Sequence, residues 1–336
     1  MNKVYFLFSL LSFAFVYFIP KQDSSFQTPS YFPKPYYDFK KNPLSESKIA
    51  LGRKLFYDPR LSRNGSISCA NCHSPYNAFA HTDHALSHGI DDSIGTRNAP
   101  ALFNLAWQPL FMWDGAINHL DMQSLFPITH PKEMGENFTH LIEKLNKDST
   151  YQELCYEAYH NRLISGEYVL KSLSQFMLSL VSTNAKYDSV QLHQALYTEQ
   201  EQRGHELFLL HCNSCHTEPL FTNFSFQNNG LPVDTFLNDS GRYLVTKKSS
   251  DSLCFKVPSL RNLEYTYPYM HDGRFANLQA VIKHYINEKI ASPTLSNLLI
   301  EPITLNDHEQ IDLIAFLLTL NDPSFVFNKK YAYPKN

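Results

Sequence analysis

Cys69-Ala-Asn-Cys72-His73 and Cys212-Asn-Ser-Cys215-His216 are the two stretches that organise this chain. Two thiols about one helical turn apart, followed at once by an imidazole, form the attachment signal for a c-type haem. The thiols close thioether bonds to the porphyrin, and the adjacent histidine offers its imidazole to the iron as the proximal ligand. Cys69, Cys72 and His73 therefore read as holding one haem, and Cys212, Cys215 and His216 as holding a second.

The surroundings of the two clusters repeat. Leu51-Gly-Arg-Lys-Leu-Phe56 precedes the first and Arg203-Gly-His-Glu-Leu-Phe208 the second. Ala99-Pro-Ala-Leu-Phe-Asn-Leu105, Met112-Trp-Asp-Gly115 and Leu120 follow the first. Val257-Pro-Ser-Leu-Arg-Asn-Leu263, Met270-His-Asp-Gly273 and Leu278 follow the second, at a constant offset of 158 residues. Such self-similarity predicts a duplicated module. Trp113 and His271 occupy equivalent places in it, so the copies diverge near the chemistry.

The first 20 residues differ from the rest. Lys3 supplies a positive start, and Val4 to Ile19 is a run of 16 apolar or hydroxyl residues. A spanning helix needs about 20, so residues 1–20 predict a signal peptide, with an uncleaved N-terminal anchor as the alternative. Residues 21–42 are rich in Pro, Ser and Tyr and predict an extended linker or surface segment. Two clusters behind an export segment favour haem over a thioredoxin-like pair, which needs no His at that offset. They also favour it over half a zinc site, which needs no export. Cys155 and Cys254 remain as singles, expected to be buried or free, with a mutual disulfide as the alternative.

A chain of 336 residues has room for two domains, here 43–190 and 191–336, each with its own core. A hydrophobic share of 43% excludes disorder as the main theme, and a net charge of −3 without a basic stripe gives no reason to expect nucleic acid. The readable elements are helical. Ser45 is placed to cap a helix running through Phe56, with Ile49, Leu51, Leu55 and Phe56 apolar. Val169, Leu170, Leu173, Phe176, Met177, Leu180 and Val181 follow helical spacing. Ile311, Ile314, Leu317, Leu318 and Leu320 form a last stripe that Asn306 or Asp307 would cap. The expected fold is mostly α: two cytochrome-c-like haem domains related by internal duplication.

At this level of detail the sequence resembles the bacterial di-haem cytochrome c peroxidases and their MauG-like relatives. The matching stretches are LGRKLFYDPRLSRNGSISCANCH (51–73), GTRNAPALFNL (95–105), MWDGA (112–116), ITHPKEMG (128–135), GRYLVT (241–246) and FKVPSLRN with YPYMHDGRF (255–275), in the family's order. The resemblance implies that the His73 haem binds and reduces hydrogen peroxide, while the His216 haem accepts electrons from a small c-type cytochrome or cupredoxin. It implies that Trp113 shortens the electron path between the haems. Glu133 matches the family's distal glutamate, which would move a proton between the peroxide oxygens. Gln123 matches the distal glutamine of the MauG-like branch.

The resemblance leaves the sixth ligands open. In the peroxidase branch a His-Gly pair can ligate the first iron in the resting enzyme. His88-Gly89 stands in that loop, but with a longer spacing to Arg97-Asn98, so an exposed loop histidine is the other reading. His81 and His84 suggest a metal pair or, more simply, a solvated loop. For the second iron the peroxidase branch uses methionine; at that distance this chain has Tyr285, as MauG-like members do, with Met270 and His284 as alternatives. A tyrosinate would lower the iron potential relative to methionine. Asn98, Thr266 and Pro268 match the family's calcium site, and few protein oxygens around a hydrated ion suit calcium. A homodimer is also implied.

Three functions compete on this reading. The first is a periplasmic peroxidase turning hydrogen peroxide into water. The second is a MauG-like di-haem oxidase that modifies side chains of a partner protein at a distance. The third is a non-enzymatic di-haem electron carrier with both irons saturated.

Overall fold

A computed structural model describes residues 26 and 28–334. The 1–20 segment read as a signal peptide or anchor lies outside the described residues. Among those described, no helix is long and apolar enough to cross a membrane.

The architecture is mostly helical and is built on two crossing helix pairs. In the first, Glu46–Phe56 packs on Gly166–Ser179; in the second, Glu199–His211 packs on Asp307–Leu318. Each crossing is made by the glycine of the repeated motif. A Cβ on Gly52 would stand 1.8 Å from the Ser172 carbonyl oxygen, and one on Gly204 would stand 1.9 Å from that of Asp312. Any other residue would push the helices apart.

The caps follow local chemistry. Ser45 sits at the N-cap of the first helix, but its hydroxyl meets Ser47 at 2.8 Å while its N–H donates to Gln175 Oε1 at 3.0 Å. Asn306, rather than Asp307, caps the last long helix: its Oδ1 accepts from Glu309 N at 3.0 Å, and Glu309 returns the bond at 2.8 Å. Among the described residues strand is confined to Phe226–Gln227 and Phe255–Lys256, paired antiparallel with Phe226 opposite Lys256.

Two apolar clusters result. One gathers Phe56, Phe79, Phe176 and Phe325, the other Tyr187, Phe208, Phe221 and Phe316. The chain's end returns to the first cluster: Tyr57 Oη donates to the Tyr331 carbonyl at 2.6 Å and Arg53 Nε to that of Ala332 at 2.8 Å. Within the 21–42 segment, Phe32 is buried edge-on against Trp107, and Trp107 Nε1 donates to the Pro33 carbonyl at 2.7 Å.

At the seam between the clusters Arg261 is fully buried. It donates to both Asp188 oxygens at 2.9 and 2.7 Å and to the Pro219 carbonyl at 2.8 Å, and it lies against the rings of Phe32, Tyr187 and Phe221. The repeated asparagines both reach Ser182. Asn104 and Asn262, both left-handed, bond to the backbone and the hydroxyl of Ser182 respectively, each at 3.0 Å. Asparagine tolerates that backbone conformation better than most residues do. Cys155 and Cys254 are both buried and free.

Candidate active site

Both clusters open onto one cavity of about 790 Å³. The first is shaped by a single helical turn, Cys69–Cys72, in which Asn71 Oδ1 accepts from Ser68 N at 2.8 Å. His73 follows, and its Nδ1 lies 2.8 Å from the Phe79 carbonyl oxygen. A carbonyl only accepts, so the proton sits on Nδ1 and the Nε2 lone pair is left free. His216 repeats the device, with Nδ1 3.2 Å from the Phe221 and 3.1 Å from the Pro258 carbonyl oxygens. Burial holds both imidazoles neutral, pushing each pKa down to about 4. Neither pair closes a disulfide, and burial pushes the thiols of Cys69 and Cys212 up to about 12. Paired thiols and an imidazole with a free nitrogen, on the wall of a large cavity, fit a covalently held porphyrin with one axial histidine.

The predicted residues of the first site share this cavity: Trp113, Gln123, Glu133 and His88 all line it. Two loops in backbone contact hold Glu133. Ile90 N donates to its carbonyl at 2.8 Å, and a Cβ on Gly89 would stand 1.9 Å from the Lys132 carbonyl oxygen. Burial raises the Glu133 carboxyl to about 7. Gln123 ends the Leu120–Gln123 helix and directs Nε2 at the Met112 sulfur, 3.1 Å away. Its Oε1 is buried without a partner among the described residues.

Trp113 donates from Nε1 to the Asn98 carbonyl at 2.8 Å, while Asn98 N donates to the His271 carbonyl at 2.7 Å. One backbone residue thus ties the two Met-x-Asp-Gly turns together. His271, the repeat partner of Trp113, stacks on Phe255 with ring centroids 3.7 Å apart. His88 stacks on His84 at 4.3 Å, and His84 on His81 at 5.7 Å. No cluster of three or more His, Cys, Asp or Glu able to hold a metal occurs among the described residues.

At the second site Tyr285 lies in a π-helical segment, His284–Glu288, that continues the Leu278–Lys283 helix. Such segments recur at functional sites because they re-aim one side chain. Tyr285 and Met270 both line the cavity, whereas His284 is buried with Nε2 3.1 Å from the Asn229 carbonyl oxygen. Burial pushes the Tyr285 phenol up to about 12. Asn98, Thr266 and Pro268 line the same cavity, and Asn98 Nδ2 donates to the Ala85 carbonyl at 3.0 Å.

A model of the family described as di-haem cytochrome c peroxidase matches residues 46–195. Methylamine utilization protein MauG of Methylorubrum extorquens is 37% identical over 307 residues, covering 88% of this chain and 83% of that one. The chain belongs to the di-haem cytochrome c peroxidase family. Cytochrome c551 peroxidase of Nitrosomonas europaea, a relative on the peroxidase side, is 30% identical, covering 88% of this chain and 86% of its own. A crystal structure of a MauG-like protein associated with microbial copper homeostasis aligns with a TM-score of 0.84 and 31% identity, over 93% of this chain and 99% of the other. Membership in this oxidoreductase family implies two haems c, and the two thiol–imidazole clusters have the chemistry to hold them.

Two wall residues escaped the sequence reading. Lys256 stands inside the FKVPSLRN stretch, where a charged residue in an otherwise apolar strand is the available signal. Asn229, in Gln227-Asn-Asn-Gly230, carries no signal of its own.

Proposed function

We propose that this chain is a periplasmic peroxidase that reduces hydrogen peroxide to water with electrons from a small c-type cytochrome or cupredoxin. The observation that carries this reading is Glu133, a carboxyl raised to about 7 on the wall of the cavity that also bears Cys69, Cys72 and His73. Near neutrality such a group both accepts and returns a proton. The haem iron, when bound, supplies the electrons that part the two peroxide oxygens. Glu133 takes the proton from one oxygen and returns it to the other, so the departing oxygen leaves as water. Gln123 orients the peroxide by accepting a hydrogen bond at its Oε1, which has no partner among the described residues.

On the same reading the His216 unit receives electrons, with Tyr285 as its sixth ligand, and Trp113 carries them across the seam. His88 is a stacked wall residue. Asn98, Thr266 and Pro268 hold a hydrated calcium between the units. The two units, 43–190 and 191–336, are copies of one module.

Steady-state peroxide turnover with a reduced small donor tests the proposal. Sustained turnover in the wild type that collapses in Glu133→Gln is expected; no wild-type turnover with any such donor overturns it. Tyr285, a MauG-like residue where the peroxidase branch has methionine, favours a second reading, oxidation of a partner protein's side chains. Slow donor turnover together with peroxide-dependent modification of a partner would select it.

A further inference from the structure

Lys256 joins the two units before its side chain does anything. Its backbone N–H donates to the Trp113 carbonyl at 2.7 Å, from the short strand that faces Phe226–Gln227. The side chain lines the shared cavity and is buried, and its Nζ donates one hydrogen bond, to the Leu110 carbonyl at 3.0 Å. An ammonium has three donors and needs a counter-charge when it leaves water. Among the described residues no carboxylate lies within ion-pair distance of it.

The carboxylate whose field reaches it, Asp114, is already engaged. Its Oδ2 takes Arg97 Nη1 at 2.7 Å and its Oδ1 takes Ala116 N at 3.1 Å. The neighbouring cations are satisfied too. Arg97 also grips Asp239 at 2.6 and 2.9 Å, and Arg242 donates to the Asp114 carbonyl at 2.8 Å while lying over the Phe226 ring. Beside Arg97 and Arg242, Lys256 is the cation of this group that no carboxylate among the described residues pairs. Unsupported burial pushes its pKa down to about 7, which marks how much the site lacks a negative partner.

The group that enters this cavity brings that charge, since each haem carries two propionate carboxylates. We propose that Lys256 receives a propionate of one of the two haems and fixes that haem's edge at the seam beside Trp113. The proposal rests on the haem-bearing reading of the clusters, and not on which substrate is oxidised. A positive charge held close to one iron favours its reduced form, so Lys256 also raises that haem's potential above what its axial ligands alone would set.

The test uses the holoprotein with both haems attached, titrated by spectroelectrochemistry with each haem followed separately. Lys256→Met is expected to lower the midpoint potential of one haem and leave the other in place, and Lys256→Arg to restore it. The haem that moves owns the propionate. Unchanged potentials in K256M, or equal drops in both haems, overturn the proposal. Should K256M fail to mature, resonance Raman on the wild type gives the second arm: a propionate bending band shifted from the free-carboxylate position and sensitive to D2O is expected, and a band at the free position overturns it. Loss of peroxide turnover in the wild type would sink the peroxidase reading and leave these potentials as informative as before.

Discussion

The Tyr285 hydroxyl lies 3.4 Å from Asn229 Nδ2, and the same nitrogen lies 3.5 Å from the Met270 sulfur. A phenol oxygen and a thioether sulfur thus both accept from one amide at the second site. With Tyr285 as the sixth ligand, Tyr285→Met is expected to raise the potential of the His216 haem and change its optical spectrum. Axial ligands span roughly 0.8 V of haem potential, so the shift should be well outside error. An untouched spectrum and potential would sink the tyrosinate assignment.

With Glu133 in the proposed role of proton carrier, the activity should depend on pH in a definite direction. The carboxylate form accepts the peroxide proton, so turnover should rise with pH through about 7, where burial has raised this group. Glu133→Gln should cost about 10²- to 10⁴-fold in turnover, the ordinary yield of a positioned acid–base group, and should abolish that limb. A variant keeping the wild-type pH profile would assign the limb to another group. Stability moves the opposite way: a carboxyl raised on folding is harder to ionise in the native state than in the unfolded chain. The native state therefore loses stability as pH climbs from the ordinary glutamate value toward about 7, and E133Q should flatten that decline.

How far the sequence carried depends on how local each contact is. The Cys-x-x-Cys-His clusters and a cap at Asn306 or Asp307 are legible because their chemistry lies within a turn; the motifs holding Gly52 and Gly204 are visible as a repeat, but the helix crossings those glycines permit are not. Asn229 and Lys256 are not legible. Tyr285 is 56 residues from Asn229, and Leu110 is 146 residues from Lys256. Only folding brings them onto one wall. The stack of His81, His84 and His88 is a middle case: its spacing hints at a cluster, but ring-on-ring packing rather than convergent nitrogens is what the loop adopts.

Trp113→Phe removes the Nε1 bond to Asn98 and leaves an aromatic ring in the wall. One lost hydrogen bond costs about 1 kcal/mol of stability, which is too little to unfold the site. Electron delivery across the seam should nevertheless slow, because phenylalanine is much harder to oxidise than indole. Stopped-flow reduction of the His216 haem followed by peroxide addition separates the steps: peroxide binding should be unchanged and the transfer between haems slower. Equal transfer rates in W113F would make the indole a packing residue only.

The seam itself is testable at Asp188, which is 1% exposed and paired with a fully buried Arg261. Asp188→Ala leaves the guanidinium with the Pro219 carbonyl and three ring faces but without a counter-charge. Breaking such a buried pair from one side costs about 3–5 kcal/mol, and salt should hardly change that cost because the pair is shielded from solvent. Asp188 is differently placed: it also accepts from Tyr31 Oη at 2.7 Å and from Ala185 N at 2.7 Å. Arg261→Met should therefore cost less than Asp188→Ala, and Arg261→Met combined with Asp188→Leu should recover part of the loss, since apolar groups of similar volume replace the charges. Urea unfolding of the holoprotein at two ionic strengths checks all three variants. A loss below about 1 kcal/mol for D188A, the range of an exposed ion pair, would show that the seam between the two apolar clusters is held elsewhere.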